Sequence, residues 1–256
     1  MGGPRVIVVR AAGINCDQET VRAWELSGAR PERVHVNRLI ERPALLSEYD
    51  VLTVPGGFSY GDDISAGKIL ASQFARHLAE DIARFLAAGK FVLGVCNGFQ
   101  VLVKANLLPG TGPAGQVTIG PNSNGRFEDR WVRLRVDTSR CPFLERGEVL
   151  EMPVAHGEGR VIFASEEVRG RLGEADQIAL RYVGPDGQPG AYPHNPNGSE
   201  DHVAGLVDPT GRVLGLMPHP ERHIFDVQHP LWTRRPRREE PDGLRVFRRL
   251  SRLLSS

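Results

Sequence analysis

Residues 91–100 restrict the possible folds of this chain more than any other stretch. An apolar run over residues 91–95 leads into Cys96, and Gly94 and Gly98 flank that cysteine. Glycines at this spacing remove Cβ atoms where a strand turns sharply into a helix, which is the turn that exposes a nucleophile at the edge of an α/β sheet. A helix N-terminus beneath Cys96 would also favour the reactive thiolate. The alternative is a buried core cysteine, the commoner fate of this residue type, but both glycines in register favour the nucleophile.

The first half of the chain alternates segments typical of strands and helices. Apolar or alternating runs predict strands at 5–10, 34–39, 50–55 and 91–95, and residues 16–28 form an amphipathic segment between the first two. A second helical stripe precedes the last of these strands and consists of Leu70, Phe74, Leu78, Ile82 and Phe85. This alternation is the βαβ rhythm of a parallel sheet, and the stripe is typical of a core-facing helix.

The second half has antiparallel signals instead. Alternation over residues 131–136, a run near 177–183, and two runs at 202–207 and 212–217 joined by a tight turn all predict strands. The Arg-rich tail carries Leu244, Phe247, Leu250 and Leu254 at helical spacing, which favours a packed terminal helix over a basic binding arm. Because nothing between the halves resembles a linker, we expect one α/β domain over residues 1–256, with an open, mixed, mostly parallel sheet.

Composition excludes several classes of function. The net charge is +1 and the basic residues are nearly all arginine, so no nucleic-acid partner is expected. The three cysteines are odd in number and far apart, which predicts neither a disulfide framework nor a metal site and fits a reducing cytoplasm. No stretch approaches the roughly 20 apolar residues of a membrane span, and the first residues do not resemble a secretion signal. We therefore expect a cytoplasmic protein with no membrane partner.

A thiol nucleophile needs a base, and His219 is the strongest candidate among the eight histidines. It follows an apolar strand and lies between two prolines that keep the chain extended, so that His219 and Glu221 project to the same side. A carboxylate in that position would orient the imidazole and stabilise its charged form. His156 and Glu158 form a rival pair that also follows an apolar run, and the sequence alone does not exclude it.

A glycine-rich segment after the strand at 50–55 completes the predicted machinery. Glycines at the carboxyl end of a parallel strand can present backbone N–H groups to a developing oxyanion, so Gly57 and Asn97 are predicted to form an oxyanion hole. The nearby stretch from Gly61 to Ile69 looks like a phosphate-binding loop but has Ala66 and Ile69 where that motif needs Gly and Ser or Thr. We expect no ATP site in this chain.

These motifs resemble the class I glutamine amidotransferases, whose triad is Cys, His and Glu on an open, flavodoxin-like α/β sheet with helices on both faces. The resemblance narrows to the glutaminase subunits of phosphoribosylformylglycinamidine synthase, and it covers nearly the whole chain. It rests on Ala12-Gly13-Ile14-Asn15-Cys16-Asp17, Gly57-Phe58-Ser59-Tyr60-Gly61-Asp62, Cys96-Asn97-Gly98-Phe99-Gln100, Gly125-Arg126-Phe127-Glu128, Ala155-His156-Gly157-Glu158-Gly159, Asn195-Pro196-Asn197-Gly198-Ser199 and Met217-Pro218-His219-Pro220-Glu221-Arg222.

The resemblance implies a division of labour between subunits. This chain would hydrolyse glutamine to glutamate and ammonia, without a cofactor of its own. A large synthetase subunit, using ATP and magnesium, would consume the ammonia to make formylglycinamidine ribonucleotide from formylglycinamide ribonucleotide in de novo purine biosynthesis, and a small third subunit would bridge the two. We expect the polar loops 57–66 and 156–160 to flank the cleft and to provide the docking surface.

The family's residue roles carry over onto matching positions of this sequence. The resemblance implies that Cys96, His219 and Glu221 are the triad and that Gly57 and Asn97 are the oxyanion donors. It also implies glutamine contacts by Gln100, Phe58, Asn122 and Phe127. The chain departs from the family pattern at residues 62–65 and 122–125.

Two other functional classes fit part of the pattern. A cysteine peptidase, or a chaperone-like hydrolase of similar fold, would share the turn at Cys96 but would need a cleft open to peptides. A regulatory relative without activity would usually lack part of the triad, whereas Cys96, His219 and Glu221 are all present.

Overall fold

The strands and helices alternate through the first half of the chain and then give way to a run of strands. A computed structural model describes residues 2–63 and 65–255, so Ile64 of the loop 57–66 and both terminal residues lie outside the described part. The strands are β1 (Arg5–Arg10), β2 (Arg30–His35), β3 (Val51–Val54), β4 (Phe91–Val95), β5 (Val117–Pro121), β6 (Glu128–Val136), β7 (Val149–His156), β8 (Glu158–Phe163), β9 (Ile178–Val183), β10 (Val203–Val207) and β11 (Val213–Leu216). The helices are α1 (Asp17–Leu26), α2 (Val36–Glu41), α3 (Lys68–Gln73), α4 (Ala79–Ala87), α5 (Asn97–Lys104), α6 (Glu166–Glu174) and α7 (Asp242–Ser255).

A nine-stranded mixed sheet forms the centre of the fold, in the order β2-β1-β3-β4-β11-β10-β9-β6-β7. The strands from β2 to β11 in this order pair in parallel, whereas β11, β10, β9, β6 and β7 pair in antiparallel fashion. Strands β5 and β8 form a separate two-stranded ribbon. The predicted α/β class, with parallel pairing from the first half and antiparallel pairing from the second, is confirmed.

Helices cover both faces of the parallel half. Trp24 of α1 donates a hydrogen bond to Thr53 of β3, and Gly98 of α5 lies directly against Val54, the next residue on that strand. Neighbouring residues of a strand point to opposite faces, so α1 and α5 lie on opposite sides of the sheet. Helix α7 packs beside α1, with the Phe247 and Trp24 ring centroids 5.0 Å apart.

The prediction of a strand over residues 34–39 is wrong. Strand β2 ends at His35, and α2 begins at Val36. The His35 side chain accepts a hydrogen bond from the Asn37 N–H, which is the N-cap arrangement that starts a helix. Val36 and Leu39 are both buried, and their separation of three residues is helical spacing that a short window does not distinguish from alternation.

The apolar stripe from Leu70 to Phe85 and that of the terminal helix are buried as expected. Leu70, Phe74, Leu78, Ile82 and Phe85 all lie in the core, although a π-helical turn over Phe74–Leu78 separates α3 from α4. At the C-terminus Leu244, Phe247 and Leu250 are buried and Leu254 packs partly against the core, while the helix starts only at Asp242. Within the described residues, no helix has the length and apolar character needed to cross a bilayer.

Candidate active site

The sheet topology brings the motif-bearing loops to one edge. Strands β3, β4 and β11 are parallel neighbours, with Val54 opposite Gly94 and Val95 opposite Leu216. Their carboxyl ends therefore lie side by side, which is where α/β proteins form ligand sites. The segments that follow these strands carry Gly57, Cys96 and His219, and all three residues line one cleft.

Cys96 lies at the strained turn between β4 and α5. Its backbone has φ 50° and ψ −105°, a left-handed conformation that a non-glycine residue seldom adopts and that costs about 1–3 kcal/mol. The Cys96 N–H donates to the Leu216 carbonyl at 2.8 Å, which ties the turn to β11. The thiol lies 3.8 Å from the Ala155 carbonyl and opens into the cleft. The structure has the strand–turn–helix that the glycine spacing predicts.

His219 and Glu221 form a buried pair beside this turn. The imidazole Nδ1 of His219 lies 2.6 Å from Glu221 Oε1, and the backbone N–H of His219 donates to the Pro153 carbonyl at 2.8 Å. Burial opposes a positive charge on the ring, but the Glu221 carboxylate and the nearby Cys96 sulfur outweigh burial and hold the pKa of His219 well above its ordinary value. The pair can therefore stabilise a protonated imidazole next to a thiolate.

The rival histidine, His156, has different partners. Its Nδ1 lies 3.1 Å from Asn122 Oδ1, and its Nε2 lies 3.5 Å from Asn197 Nδ2. Both ring nitrogens therefore meet side-chain amides, and among the residues that the structure describes neither is bonded to a carboxylate. Burial, with a contribution from His219, lowers the pKa of His156 to about 4. His156 lines the cleft as a neutral ring and lacks the carboxylate that a catalytic base of the triad type needs.

The neutral state of His156 makes stability depend on pH. A pKa of 6.5 in the unfolded chain and about 4 in the folded one means that unfolding takes up a proton between these values. The free energy of unfolding is therefore expected to fall by about 3 kcal/mol from this group as the pH drops from 6.5 to 4. Denaturant titrations at pH 7 and pH 4 measure the difference.

Two variants isolate this contribution. In His156→Gln the stability loss between pH 7 and pH 4 should be smaller than in the parent by about 3 kcal/mol, even though the variant is less stable at both. The control is His77→Gln, which makes the same substitution at an exposed histidine outside the cleft. An equally steep loss in His156→Gln would show that His156 is not held neutral in the folded chain.

The predicted oxyanion donors come from the loop after β3 and from the first residue of α5. Gly57 has φ +141°, and a Cβ there would lie 2.8 Å from the backbone atoms Asn15 N and Gly13 O, so only glycine fits. Asn97 is the first residue of α5, whose N–H has no intrahelical acceptor. Within the part of the chain that the structure describes, neither backbone N–H donates to another main-chain group. Both remain available to a substrate oxygen.

Side-chain amides brace this edge of the cleft. Asn97 accepts a hydrogen bond from the Ser59 N–H at 3.3 Å and donates to Gln100 at 3.0 Å, and Gln100 donates to the Glu158 carbonyl at 2.5 Å. This chain of bonds links the loop after β3, helix α5 and the start of β8. It fixes the mutual position of three segments that carry cleft residues.

The predicted glutamine contacts separate into two groups. Gln100, Phe58 and Phe127 line the cleft, and both phenylalanine rings are exposed. Asn122 is buried behind His156, where its side chain bonds the His156 ring, the Gly159 N–H and the Arg126 and His156 carbonyls. The structure therefore places Asn122 outside the cleft wall, in a position to orient the residues that form it.

Sequence reasoning assigned no role to three residues that line the cleft, Asn15, Cys16 and Arg222. Cys16 follows β1, the parallel neighbour of β3, and lies in the same loop position as the other cleft residues. Burial raises the pKa of the Cys16 thiol to about 11, against the lowering effects of His219 and Arg222. Arg222 donates to Cys16 Sγ at 3.2 Å and to Glu19 at 2.9 Å. The position of Cys16 after a parallel strand was the available signal.

Comparison with known proteins identifies the group to which this architecture belongs. The model of the CobB/CobQ-like glutamine amidotransferase domain matches residues 3–253. The chain belongs to this glutamine amidotransferase family. Among curated members, the phosphoribosylformylglycinamidine synthase subunit PurQ of Dehalococcoides mccartyi is 43% identical over 250 residues, which cover 96% of each chain.

Further relatives of this glutamine amidotransferase agree with that match. The PurQ subunit of Methanococcus maripaludis is 40% identical over 232 residues, covering 89% of this chain and 85% of the relative. Among solved structures, a chain of PurLQS from Thermotoga maritima superposes with a TM-score of 0.74 at 32% identity and covers 98% of this chain and 99% of that one. Sequence and fold therefore place this amidotransferase beside the PurQ subunits over its whole matched length.

Proposed function

We propose that this chain is the glutaminase subunit of phosphoribosylformylglycinamidine synthase and that it hydrolyses glutamine through Cys96, His219 and Glu221. One observation carries the catalytic part: Cys96 and His219 open into the same cleft, and Glu221 lies 2.6 Å behind the imidazole. The similarity to PurQ subunits supports the choice of glutamine as substrate and of de novo purine biosynthesis as the setting.

The first half of the reaction forms a covalent intermediate. The Cys96 thiolate attacks the side-chain amide carbon of glutamine, and the backbone N–H groups of Gly57 and Asn97 stabilise the resulting oxyanion. Protonated His219 gives its proton to the amide nitrogen as the carbon–nitrogen bond breaks, and ammonia leaves. A glutamyl thioester on Cys96 remains.

The second half regenerates the thiol. His219, now neutral, takes a proton from water as that water attacks the thioester carbon, and the oxyanion again occupies the site between Gly57 and Asn97. Glu221 holds the imidazole in one orientation through both halves and stabilises its charged form. Collapse of the tetrahedral intermediate releases glutamate and returns Cys96 and His219 to their starting states.

Two carboxylates in the cleft wall can select an amino acid. Asp62 and Glu158 both line the cleft, and burial raises the pKa of Asp62. The α-ammonium group of glutamine would offset this by pairing with these carboxylates, which would leave the side-chain amide directed at Cys96. The exposed rings of Phe58 and Phe127 flank the aliphatic part of such a ligand.

The assembly belongs to the proposal as well. PurLQS from Thermotoga maritima is a complex by its name, and we propose that this chain likewise docks with a large synthetase subunit and a small bridging subunit. ATP and magnesium would bind to the synthetase, and this chain would act as one glutaminase domain in the cytoplasm. Loops 57–66 and 156–160 border the cleft through Gly57, Phe58, Asp62, His156 and Glu158, so they are the proposed docking surface.

Docking is expected to switch on the glutaminase. Ammonia released into water becomes ammonium and is no longer nucleophilic, so a subunit that serves a synthetase should turn over slowly alone. Glutamate release from glutamine should be strongly accelerated when the purified chain is mixed with the synthetase subunit, the bridging subunit, ATP and formylglycinamide ribonucleotide. A free chain that is equally active would contradict the proposed coupling.

The same preparation distinguishes the proposed glutaminase from a peptidase and from a regulatory relative without activity. A glutaminase should release glutamate only in the mixture and should leave casein intact. Cleavage of casein by the purified chain, with no glutamate release in the mixture, would favour a peptidase. Absence of both activities would favour a regulatory relative.

A further inference from the structure

A second thiol lies beside the catalytic pair. One donor atom each from Cys16, His219 and Glu221 lie within 4.8 Å of one another, and all three residues are buried. The loop after β1 supplies Cys16, whereas the segment after β11 supplies the other two residues. Gly56 lies against the group, since a Cβ on it would be 2.7 Å from His219 Cε1 and 3.1 Å from Cys16 Sγ. The three side chains thus meet at one point beneath the cleft.

One donor atom of this group has no partner. Glu221 Oε2 is buried and has no hydrogen-bond partner among the residues that the structure describes, whereas His219 Nδ1 is bonded to Glu221 Oε1. A buried polar atom without a partner is costly, and such atoms often mark a place where a ligand or ion binds. Cys16 and His219 also line the cleft, so a small ion can reach the group from solvent.

We propose that Cys16, His219 and Glu221 bind Zn²⁺ or a similarly soft divalent cation, and that the bound ion blocks the glutaminase. Thiolate, imidazole and carboxylate are the ligand types that zinc accepts, and three protein ligands with one open position form a usual zinc arrangement. Tetrahedral zinc would place these donor atoms about 3.5 Å apart. The observed donor atoms are no more than 4.8 Å apart, and the ion would have to separate His219 Nδ1 from Glu221 Oε1, now 2.6 Å apart, by about 1 Å.

The inhibition, unlike the binding, rests on the proposed function. A metal ion bound to His219 Nδ1 and Glu221 replaces the hydrogen bond that orients the imidazole, and it removes the carboxylate's stabilisation of the charged ring. It also adds positive charge where the protonated His219 must form. Cys16 is the ligand that distinguishes the proposed metal site from the catalytic pair. Cys96 and His219 alone would offer an ion only two ligands.

Cobalt spectroscopy on the full chain tests the binding. Titration with Co²⁺ should produce the visible bands of tetrahedral cobalt and a near-ultraviolet thiolate-to-cobalt band at one equivalent, and Zn²⁺ should displace both. Cys16→Ser is expected to lose the thiolate band and to weaken affinity by at least about tenfold, because even outer-shell partners of metal ligands contribute about 10- to 100-fold. Cys141→Ser, which removes an equally buried thiol at another place, should behave as the parent.

The second comparison uses a variant of the proposed nucleophile. Cys96→Ala should keep the thiolate band if Cys16 is the ligand. A band that disappears in Cys96→Ala and persists in Cys16→Ser would overturn the proposal, as would a parent chain without any thiolate band. Should Cys16→Ser fail to fold, as judged by circular dichroism, the Cys96→Ala result and the parent spectrum still decide the matter.

Inhibition is measured in the active assembly. Glutamine-dependent synthesis should be lost as Zn²⁺ is added, while synthesis from free ammonia continues, and the zinc concentration for half-inhibition should rise at least about tenfold in Cys16→Ser relative to that variant's own zinc-free rate. Thiolate-bound cobalt together with an unaffected glutamine-dependent rate would uphold the site and refute the inhibition. Failure of the proposed function would appear separately, as no glutamine-dependent activity even without metal.

Discussion

Replacing Cys96 by alanine is expected to abolish glutamine hydrolysis by the assembled enzyme. The thiol is the only group in the proposed mechanism that forms the covalent intermediate, and removal of a nucleophile of this kind lowers turnover by about 10⁴-fold or more. Backbone N–H groups and His219 do not replace it, because they act on a bond that the thiolate must first attack. Glutamate formation in the complex, with ATP and ribonucleotide present, is the measurement.

Two comparisons separate chemistry from folding. Cys141→Ala removes a thiol that is as deeply buried as Cys96 but lies outside the cleft, and it should retain the glutaminase rate. Synthesis from free ammonia should survive in Cys96→Ala, since that step belongs to the synthetase. Glutamate release by Cys96→Ala at a rate near that of the parent would exclude Cys96 as the nucleophile.

The residues that sequence analysis placed together are those whose positions follow from patterns within a few neighbouring residues. Gly94 and Gly98 report the turn at Cys96 because a turn of this kind imposes steric demands within five residues. His219 and Glu221 are two residues apart on an extended chain, so local geometry alone directs both to one side. The meeting of these two motifs then follows from the rule that parallel strands end at a common edge.

Cys16 and Asn122 show where this reasoning stops. Cys16 lies beside His219 although the two residues are distant in the chain, and its position after a predicted parallel strand does not reveal that contact. The resemblance implied a glutamine contact by Asn122, yet the side-chain amide of Asn122 is saturated by His156 and its neighbours. Burial and hydrogen-bond partners decide such roles, and neither is a property of the sequence near the residue.

The prediction of the boundary between β2 and α2 failed for a related reason. Val36, Leu39 and the residues between them satisfy both a strand pattern and one turn of helix, so periodicity does not choose. The choice is made by the His35 side chain, which caps the Asn37 N–H, and by the burial of Val36 and Leu39 on one helical face. A single capping contact thus decides whether these residues form a strand or a helix, and the order of strands in the sheet does not depend on it.

Gly98→Ala is expected to cause a large loss of stability. A Cβ at Gly98 would lie 1.9 Å from the Val54 carbonyl oxygen and 2.7 Å from its carbon. Both are backbone atoms of β3, so no change of rotamer relieves the clash and α5 must move away from the sheet. Overpacking of this kind costs about 3 kcal/mol or more, which lowers the melting temperature of a chain of this size by roughly 6–12 °C.

Gly170 supplies the matched control, because it is also a helical glycine but has open space at its Cβ position. Gly170→Ala should stabilise the chain by up to about 1 kcal/mol through helix propensity alone. Movement of α5 in Gly98→Ala also shifts the Asn97 N–H relative to Cys96, so residual folded enzyme should lose turnover as well as stability, whereas Gly170→Ala should keep its rate. Equal melting temperatures for Gly98→Ala and the parent would mean that α5 does not pack against β3 as closely as in the structure. The position assigned to the Asn97 N–H donor would then be wrong as well.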